Sequence, residues 1–222
     1  RSNLTVDDLT RFKFLSGIRY SPDAGHACFI VHEMDAVRND YRSCLYLYDA
    51  NDGSIKRLTS SCNEKSFLWM RDSENILFQN VRDEKDTERL ANGEDFAEFY
   101  RIDIHGGEAV KCFEVPVNVN DILRVGDDTY LLSSAFNGNR PRLTPDEKSK
   151  ELDSLKREKD YEVLEEIPFW SNGEGFVSRK RNRLYIYHPA KNTVEPITSE
   201  TFNTEDFNLR ADGKKAVIVG SD

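Results

Sequence analysis

Residues 20–31 read YSPDAGHACFIV, and this stretch decides the fold because the chain repeats it. The same pattern returns as LWMRDSENILF at residues 68–78 and as FNLRADGKKAVIV at residues 207–219. Each copy has an apolar or aromatic residue, a polar turn around an aspartate, and then a run of apolar residues that favours a strand. Repetition at intervals of several tens of residues indicates a propeller or a solenoid.

A second pattern alternates with the first. It reads CLYLYDANDGSIKRLT at residues 44–59, FYRIDIHGGEAV at residues 99–110 and RLYIYHPAKNTVEPIT at residues 183–198. Each copy is an alternating strand, a turn and another strand, which predicts a hairpin. Two hairpins per unit make a four-stranded antiparallel sheet, which is one blade of a propeller. The alternative is a β-sandwich whose hairpins are similar by chance, and the ordered alternation of the two patterns argues against it.

The predicted fold class is therefore all-β: a partial β-propeller of about three to four four-stranded antiparallel blades that occupies residues 1–222. The predicted limits are about 14–60 for blade 1, 64–116 for blade 2, 119–199 for blade 3 and 203–222 for the start of blade 4.

Two segments depart from the blade pattern. The longest interval between turns falls in blade 3, where Thr144-Pro145-Asp146-Glu147 is typical of a helix start and predicts a short helical insertion at about 144–166. Residues 83–94 are rich in both acidic and basic side chains, and we expect them to form a long solvated loop between the two hairpins of blade 2.

Charge and hydropathy exclude several classes of protein. The net charge of −9 disfavours nucleic acid as a partner, because such binding rests on neutralising phosphates. The basic run at residues 179–183 is interpreted as a solvated turn before the next strand. The chain contains no apolar run long enough to span a membrane and opens without a signal peptide.

The four cysteines are Cys28, Cys44, Cys62 and Cys112, and no two have C-x-x-C spacing. We expect them to be reduced thiols in a cytoplasmic protein, with Cys28 and Cys112 in apolar strands. A disulfide framework is not expected.

The motifs of several catalytic and cofactor sites are missing. No pair of glycines has the spacing of a G-x-S-x-G nucleophile elbow or of a phosphate-binding P-loop. His32-Glu33 begins like the zinc motif H-E-x-x-H, but Ala36 stands where the second histidine is required. We therefore predict no catalytic residue, no metal and no cofactor in this chain.

The sequence resembles the N-terminal β-propeller of prolyl oligopeptidase-family serine peptidases, in particular the acylaminoacyl-peptidase and dipeptidyl-aminopeptidase branch. The repeated S-P-D-G-like turn carries part of the resemblance, although TolB-like propellers share it. The more specific part is DYEVLEEIPFWSNGEGF at residues 160–176, followed by a basic turn and the strand LYIY. Two copies depart from the pattern. The copy at residues 68–78 lacks the turn proline, and a degraded third copy, VGDDTYLL at residues 125–132, lacks the aromatic lead-in.

The resemblance implies a role in a longer protein. Members of that family add a C-terminal α/β-hydrolase domain that carries the catalytic Ser, Asp and His, and none of it matches this chain. The implied role is to stand over that domain and admit short peptides. The residues named for tunnel or interdomain contact are Trp170, Asn172 and Glu174, although packing in the blade core would also explain Trp170.

Two other functions stay open at this stage. One is a stand-alone TolB-like binding scaffold, and the other is a propeller enzyme with its own axial site, such as a polysaccharide lyase or a glycosidase. The second is disfavoured because the strands interpreted as innermost, Phe29–Val31 and Ile76–Phe78, are apolar. Because an incomplete propeller exposes apolar blade faces at both ends, we also expect this chain to be part of a longer polypeptide and to self-associate.

Overall fold

The structure is a computed structural model that describes residues 5–126, 128–138, 164–167, 170–171, 175–210 and 213–222. The strands of the first sheet are β1 (Lys13–Tyr20), β2 (His26–Asp35), β3 (Asp40–Asp49) and β4 (Ile55–Arg57). Those of the second are β5 (Phe67–Trp69), β6 (Asn75–Gln79), β7 (Ala97–Asp103) and β8 (Val110–Val115). Those of the third are β9 (Asp121–Arg124), β10 (Tyr130–Asn137), β13 (Lys180–His188) and β14 (Thr193–Pro196).

Two smaller sheets complete the described strands. A two-stranded ribbon of β11 (Trp170–Ser171) and β12 (Gly175–Phe176) lies in sequence between β10 and β13, and a fourth sheet pairs β15 (Asn203–Leu209) with β16 (Ala216–Ser221). The described helices are α1 (Glu84–Ala91) and two 3₁₀ segments, Val6–Arg11 and Pro189–Lys191.

The strand order follows the chain in every four-stranded sheet. The orders are β1-β2-β3-β4, β5-β6-β7-β8 and β9-β10-β13-β14, and the registered pairs within them are antiparallel. This is the meander of two hairpins that the alternating patterns predict, so the predicted fold class is confirmed. The predicted blade limits stay predictions, because the structure gives the strands and not the point where one blade ends and the next begins.

The repeated turn has the same backbone conformation at one position in three of its copies. The residue after the anchoring aspartate is left-handed in each, with φ of 60° at Ala24, 62° at Ser73 and 68° at Gly213. Asp23 Oδ1 accepts hydrogen bonds from Ser21 Oγ (2.6 Å) and the Gly25 amide (3.0 Å), which lower the pKa of the Asp23 carboxyl. The aspartate therefore ties down the turn, and this explains why it recurs.

The chain divides into two compact units. Unit 1 comprises Arg1–Arg82 and Ala97–Glu114, and unit 2 comprises Asp83–Phe96 and Val115–Asp222. The core of unit 1 is a layer between the first two sheets, since alternate residues of a strand share one face. Its buried members are Cys28, Ile30, Leu45, Leu47, Phe67, Trp69, Ile76, Phe78, Tyr100, Ile102 and Ile104. In unit 2 the corresponding cluster brings Leu131 and Leu184 of the third sheet against Phe207 of the fourth.

The prediction of a loop at residues 83–94 is wrong in its conformation. The segment does connect β6 to β7, but Glu84–Ala91 is an α-helix with no buried residue. Asp83 caps the helix by accepting from the Lys85 amide (2.9 Å), and Arg89 pairs with Asp86 (2.8 Å). Because the helix depends on a cap and on ion pairs, it has no apolar stripe from which its period could be read. A helical insertion is predicted at about 144–166, and residues 144–163 of it lie outside the described residues. Residues 164–167 are described and are not helical.

The cysteine prediction is also partly wrong. Cys44 of β3 forms a disulfide with Cys62, which lies in the segment after β4. Cys28 is a free, buried thiol as expected, whereas Cys112 in β8 is exposed. The disulfide removes one argument for a reducing compartment, so the cytoplasmic location loses that support.

The strands interpreted as innermost are in fact second strands of their sheets. Phe29–Val31 lies in β2 between β1 and β3, and Ile76–Phe78 lies in β6 between β5 and β7. Each lies between two other strands of its sheet, so their apolar character says nothing about the strand at the sheet edge.

Candidate functional site

The predicted contact residues belong to the ribbon and the turn that joins its strands. Trp170 lies in β11, where its register partner is Phe176 of β12. The side chain of Trp170 is not described, and Asn172 and Glu174 lie outside the described residues. The assignment of these three residues to a contact site therefore stays a prediction.

Charged residues fix the base of the ribbon. Glu165 pairs with Arg179 (3.1 Å), and Glu166 accepts from the Arg179 amide (2.8 Å) and from Arg181 (3.0 Å). The Arg179 amide and the Arg181 guanidinium together lower the pKa of the Glu166 carboxyl despite partial burial. The basic run is thus paired with the glutamates that precede the ribbon.

The interpretation of this run as a solvated turn is wrong for most of its length. Residues 180–183 lie inside β13, and Arg183 is only 7% exposed. The Arg183 guanidinium donates to the Thr198 carbonyl (2.6 Å) and lies 4.7 Å from the centre of the Phe136 ring. Burial is tolerated because the charge has a hydrogen-bond acceptor and an aromatic face beside it.

Strand β1 is the exposed edge of the first sheet, and a bulge breaks its register between Ser16 and Arg19. Gly17 adopts φ of 64° in the bulge, a conformation that glycine takes without strain. The bulge lets the Arg19 guanidinium donate to the Phe67 carbonyl (2.8 Å), while Trp69 Nε1 donates to the Arg19 carbonyl (2.9 Å). Two hydrogen bonds therefore join the first strands of neighbouring sheets.

A cleft of about 320 Å³ opens on the first sheet and is lined by Phe14, His32 and Tyr41. The His32 ring is held on both sides, with Nε2 2.6 Å from Ser16 Oγ and Nδ1 2.7 Å from Ser43 Oγ. Three rings make the cleft suitable for an apolar side chain. Sequence reasoning missed it because it depends on the register of three strands.

The hydroxyl–imidazole contacts do not form a catalytic site. A seryl nucleophile needs a base that is oriented by a third group and an oxyanion hole. Within the described ranges, no carboxylate is hydrogen-bonded to either nitrogen of His32, and both nitrogens contact hydroxyls. The arrangement orients a ring for contact with a ligand and lacks the groups that would activate a serine.

A buried carboxylate stabilises the second sheet. Glu98 of β7 forms an ion pair with Lys111 of β8 and accepts from the Tyr100 hydroxyl (2.9 Å). Burial, together with the hydrogen bond to Glu98, raises the pKa of Tyr100 to about 12. All three groups have partners that account for them, so the network is structural.

None of the helices in the described part of the chain is both long and apolar enough to cross a membrane.

The known proteins to which this chain is similar in sequence or in fold include peptidases. No protein-family model matches the chain. It is 22% identical over 218 residues to an uncharacterized peptidase, YuxL, of Bacillus subtilis strain 168, and the match covers 97% of this chain and 31% of that protein. An acylaminoacyl peptidase solved in complex with Z-Gly-Gly-Phe-chloromethyl ketone is similar in fold, with a TM-score of 0.58 and 16% identity over 89% of this chain and 27% of that one. The Pyrococcus horikoshii acylaminoacyl peptidase gives a TM-score of 0.58 at 16% identity, over 88% of this chain and 27% of that one.

These similarities confirm the resemblance inferred from the sequence. The chain has the fold of the propeller part of such peptidases, and it spans about a third of the curated relative and about a quarter of the solved structures.

Proposed function

We propose that this chain is the propeller segment of a serine peptidase and limits access to a C-terminal α/β-hydrolase domain to short peptides. The observation that carries the proposal is the extent of the similarity: it runs through 97% of this chain, yet the chain accounts for only 31% of a peptidase. The remaining length of that relative is sufficient for a catalytic domain. In this proposal the hydrolase domain supplies the nucleophile, base and oxyanion hole that the described residues do not assemble.

Selection by length requires that neighbouring blades stay closed along their first strands. The contacts of Arg19 with Phe67 and of Trp69 with Arg19 hold two such strands together in unit 1. The cleft lined by Phe14, His32 and Tyr41 offers an apolar surface to a passing peptide side chain. Trp170, Asn172 and Glu174 stay proposed as contacts with the tunnel or with the hydrolase domain.

The exposed apolar side chains suggest further partners. Leu15, Ile18 and Tyr20 on β1 and Val217 and Val219 on β16 are each more than half exposed. We propose that other blades of the same polypeptide cover these residues and that the isolated chain self-associates through them. Fully burying an exposed side chain of this size is favourable by roughly 1.5–3 kcal/mol, and these partly buried side chains would each gain about half of that.

The full reading frame provides the first test. A G-x-S-x-G sequence within an α/β-hydrolase pattern after residue 222 is expected, and a frame without one would remove the peptidase proposal. The gating role is tested in the full-length protein by comparing kcat/KM for a short and a long peptide with the same cleavage site. Arg19→Ala, which removes the donor to the Phe67 carbonyl, should raise the value for the long peptide severalfold and leave the short one unchanged.

Arg38→Ala is the matched control, because Arg38 is exposed in the turn between β2 and β3. Equal effects of both variants, or no effect of Arg19→Ala on the discrimination by length, would contradict gating while leaving the identity of the catalytic domain untouched.

A further inference from the structure

A buried carboxyl without a charged partner lies in the segment that links the first two sheets. Glu64 is 1% exposed, and none of the described lysines or arginines forms an ion pair with it. Its Oε1 accepts from Ser61 Oγ (2.9 Å) and from Asn80 Nδ2 (3.2 Å). A fully buried carboxylate with only neutral donors is costly, because the lost hydration of the charge is not replaced.

Two acceptor atoms in this cluster lack partners. Glu64 Oε2 and Asn80 Oδ1 are both buried and neither has a hydrogen-bond donor. The orientation of the Asn80 amide is set, because its Nδ2 donates to Ser61 Oγ (2.9 Å) as well as to Glu64. Rotating the amide would place its oxygen against Glu64 Oε1 and would leave the single Ser61 hydroxyl proton to serve two acceptors. The two unsatisfied atoms are therefore the second oxygen of the Glu64 carboxyl and the amide oxygen of Asn80, and the same two side chains already share one hydrogen bond.

A single proton would satisfy both atoms. A protonated carboxyl has one O–H donor and keeps a carbonyl acceptor, and a primary amide has the complementary donor and acceptor side by side. We propose that Glu64 is protonated in the folded protein and closes a ring of two hydrogen bonds with Asn80, so that the link between the first two sheets weakens when the proton is lost.

The location of the pair gives the proton a structural role. The Glu64 amide donates to the Ser43 carbonyl (3.0 Å), and the Ser43 amide donates to the Cys62 carbonyl (3.0 Å), so the segment around Glu64 is attached to the first sheet. Asn80 directly follows β6, and its backbone N–H donates to the Glu98 backbone carbonyl (3.1 Å) in the second sheet. Glu64 is thus attached to the first sheet just before the segment joins the second, where the Lys65 amide donates to the Gln79 carbonyl, and its bond to Asn80 spans this joint.

The surrounding groups favour the neutral acid. Burial raises the pKa of Glu64, and the hydrogen bond from Ser61 only partly opposes this. The charged side chains on the adjoining segments include Arg42, Arg57, Lys65 and Arg82, which are all exposed, and buried Glu98, whose carboxylate is already bonded to Lys111.

The sign of the pH effect follows from the direction of this shift. A group whose pKa is higher in the folded than in the unfolded state stabilises the fold fully below the unfolded value, and the stabilisation is lost as pH rises through the folded value. Between the two values, the folding equilibrium constant should fall about tenfold per pH unit from this group alone.

The test compares the 222-residue chain with Glu64→Gln. Glutamine keeps both hydrogen bonds to Asn80 and has no proton to lose, so Glu64→Gln should match the wild type at low pH and become the more stable protein as pH rises. Urea unfolding across the pH range measures the difference, and groups common to both proteins cancel. Exposed Glu108 provides the matched control, since Glu108→Gln should follow the wild type at every pH.

Carbon-13 NMR of the assigned Glu64 carboxyl in the wild type gives a second measurement that does not depend on whether the variant folds. A carboxyl shift of the protonated form at a pH where exposed glutamates are ionised is expected, together with faster amide exchange at Ser43 and Glu64 above the transition. A carboxylate shift under those conditions, or a loss of stability in Glu64→Gln that is the same at all pH values, would overturn the proposal.

Discussion

Reducing the disulfide between Cys44 and Cys62 should weaken unit 1 by an amount that the loop length sets. The two cysteines are 18 residues apart in sequence. Closing a loop of that size removes chain entropy from the unfolded state equivalent to about 3 kcal/mol at 25 °C. For a unit of roughly 100 residues this corresponds to a fall in Tm on the order of 10–20 °C. The loss should be confined to unit 1, because both cysteines lie within it.

Counting thiols with DTNB checks the premise before stability is measured. Exposed Cys112 should react in the folded protein, while Cys28 should not, because it is buried and burial raises the pKa of its thiol. Unfolding without reductant should reveal two thiols, and unfolding with reductant should reveal all four.

Thermal unfolding with and without reductant then measures the stabilisation, and Cys112→Ser serves as the control for a thiol outside the disulfide. Four reactive thiols in the unreduced, unfolded protein would refute the pairing. A shift in Tm of no more than a degree or two upon complete reduction would refute the entropy argument.

Three further predictions concern single side chains. Ala24→Gly should stabilise the chain by about 1 kcal/mol in urea unfolding, because the backbone of Ala24 is left-handed. Ala27→Gly in β2 should destabilise the chain by a similar amount. Equal effects of the two substitutions would contradict the turn geometry. Trp69→Phe should lower the free energy of unfolding by about 1–2 kcal/mol, since it removes the indole donor to the Arg19 carbonyl and leaves that acceptor in a part-buried site. Calorimetry measures the change, and an unchanged Tm would argue against this hydrogen bond. If the wild type self-associates, its mass measured by light scattering should rise with concentration, and Val217→Lys should reduce this rise. Val37→Lys, in an exposed turn, should leave it unchanged. A monomeric wild type at high concentration would rule out self-association.

The sequence alone predicted the strands well because their signals are local. The aspartate-centred turns place a left-handed residue at Ala24, Ser73 and Gly213, and the apolar runs after them form strands. A turn and a period-2 pattern can be read within a dozen residues, and the order of the hairpins then leads to four-stranded sheets. The similarity to peptidase propellers could also be read from the sequence, since its specific segment, residues 160–176, is contiguous.

The wrong predictions concern segments that are stabilised by polar contacts and not by a periodic pattern of apolar residues. Helix α1 depends on the Asp83 cap and on the pair of Arg89 with Asp86, and these signals were present but were outweighed by the absence of an apolar stripe. Arg183 was assigned to solvent because of its charge, although Phe136 and the Thr198 carbonyl allow its burial. In both cases a polar partner decided the structure.

The candidate site was the least predictable part of the molecule. Nothing near His32 in the sequence indicates that Ser16 and Ser43 lie on either side of its ring, and nothing near Arg19 indicates the Phe67 carbonyl. The resemblance alone points to Trp170, Asn172 and Glu174 as contact residues, and this stays a prediction.

The sequence by itself determined where the chain turns and which segments form strands, because backbone preference and side-chain pattern act over a few neighbouring residues. Only the tertiary structure decided that Cys44 bonds to Cys62, that Glu64 lies against Asn80, and that Arg19 reaches the second sheet. Those contacts depend on strand register and on the packing of one sheet against the next, and both are set by interactions between residues far apart in the chain.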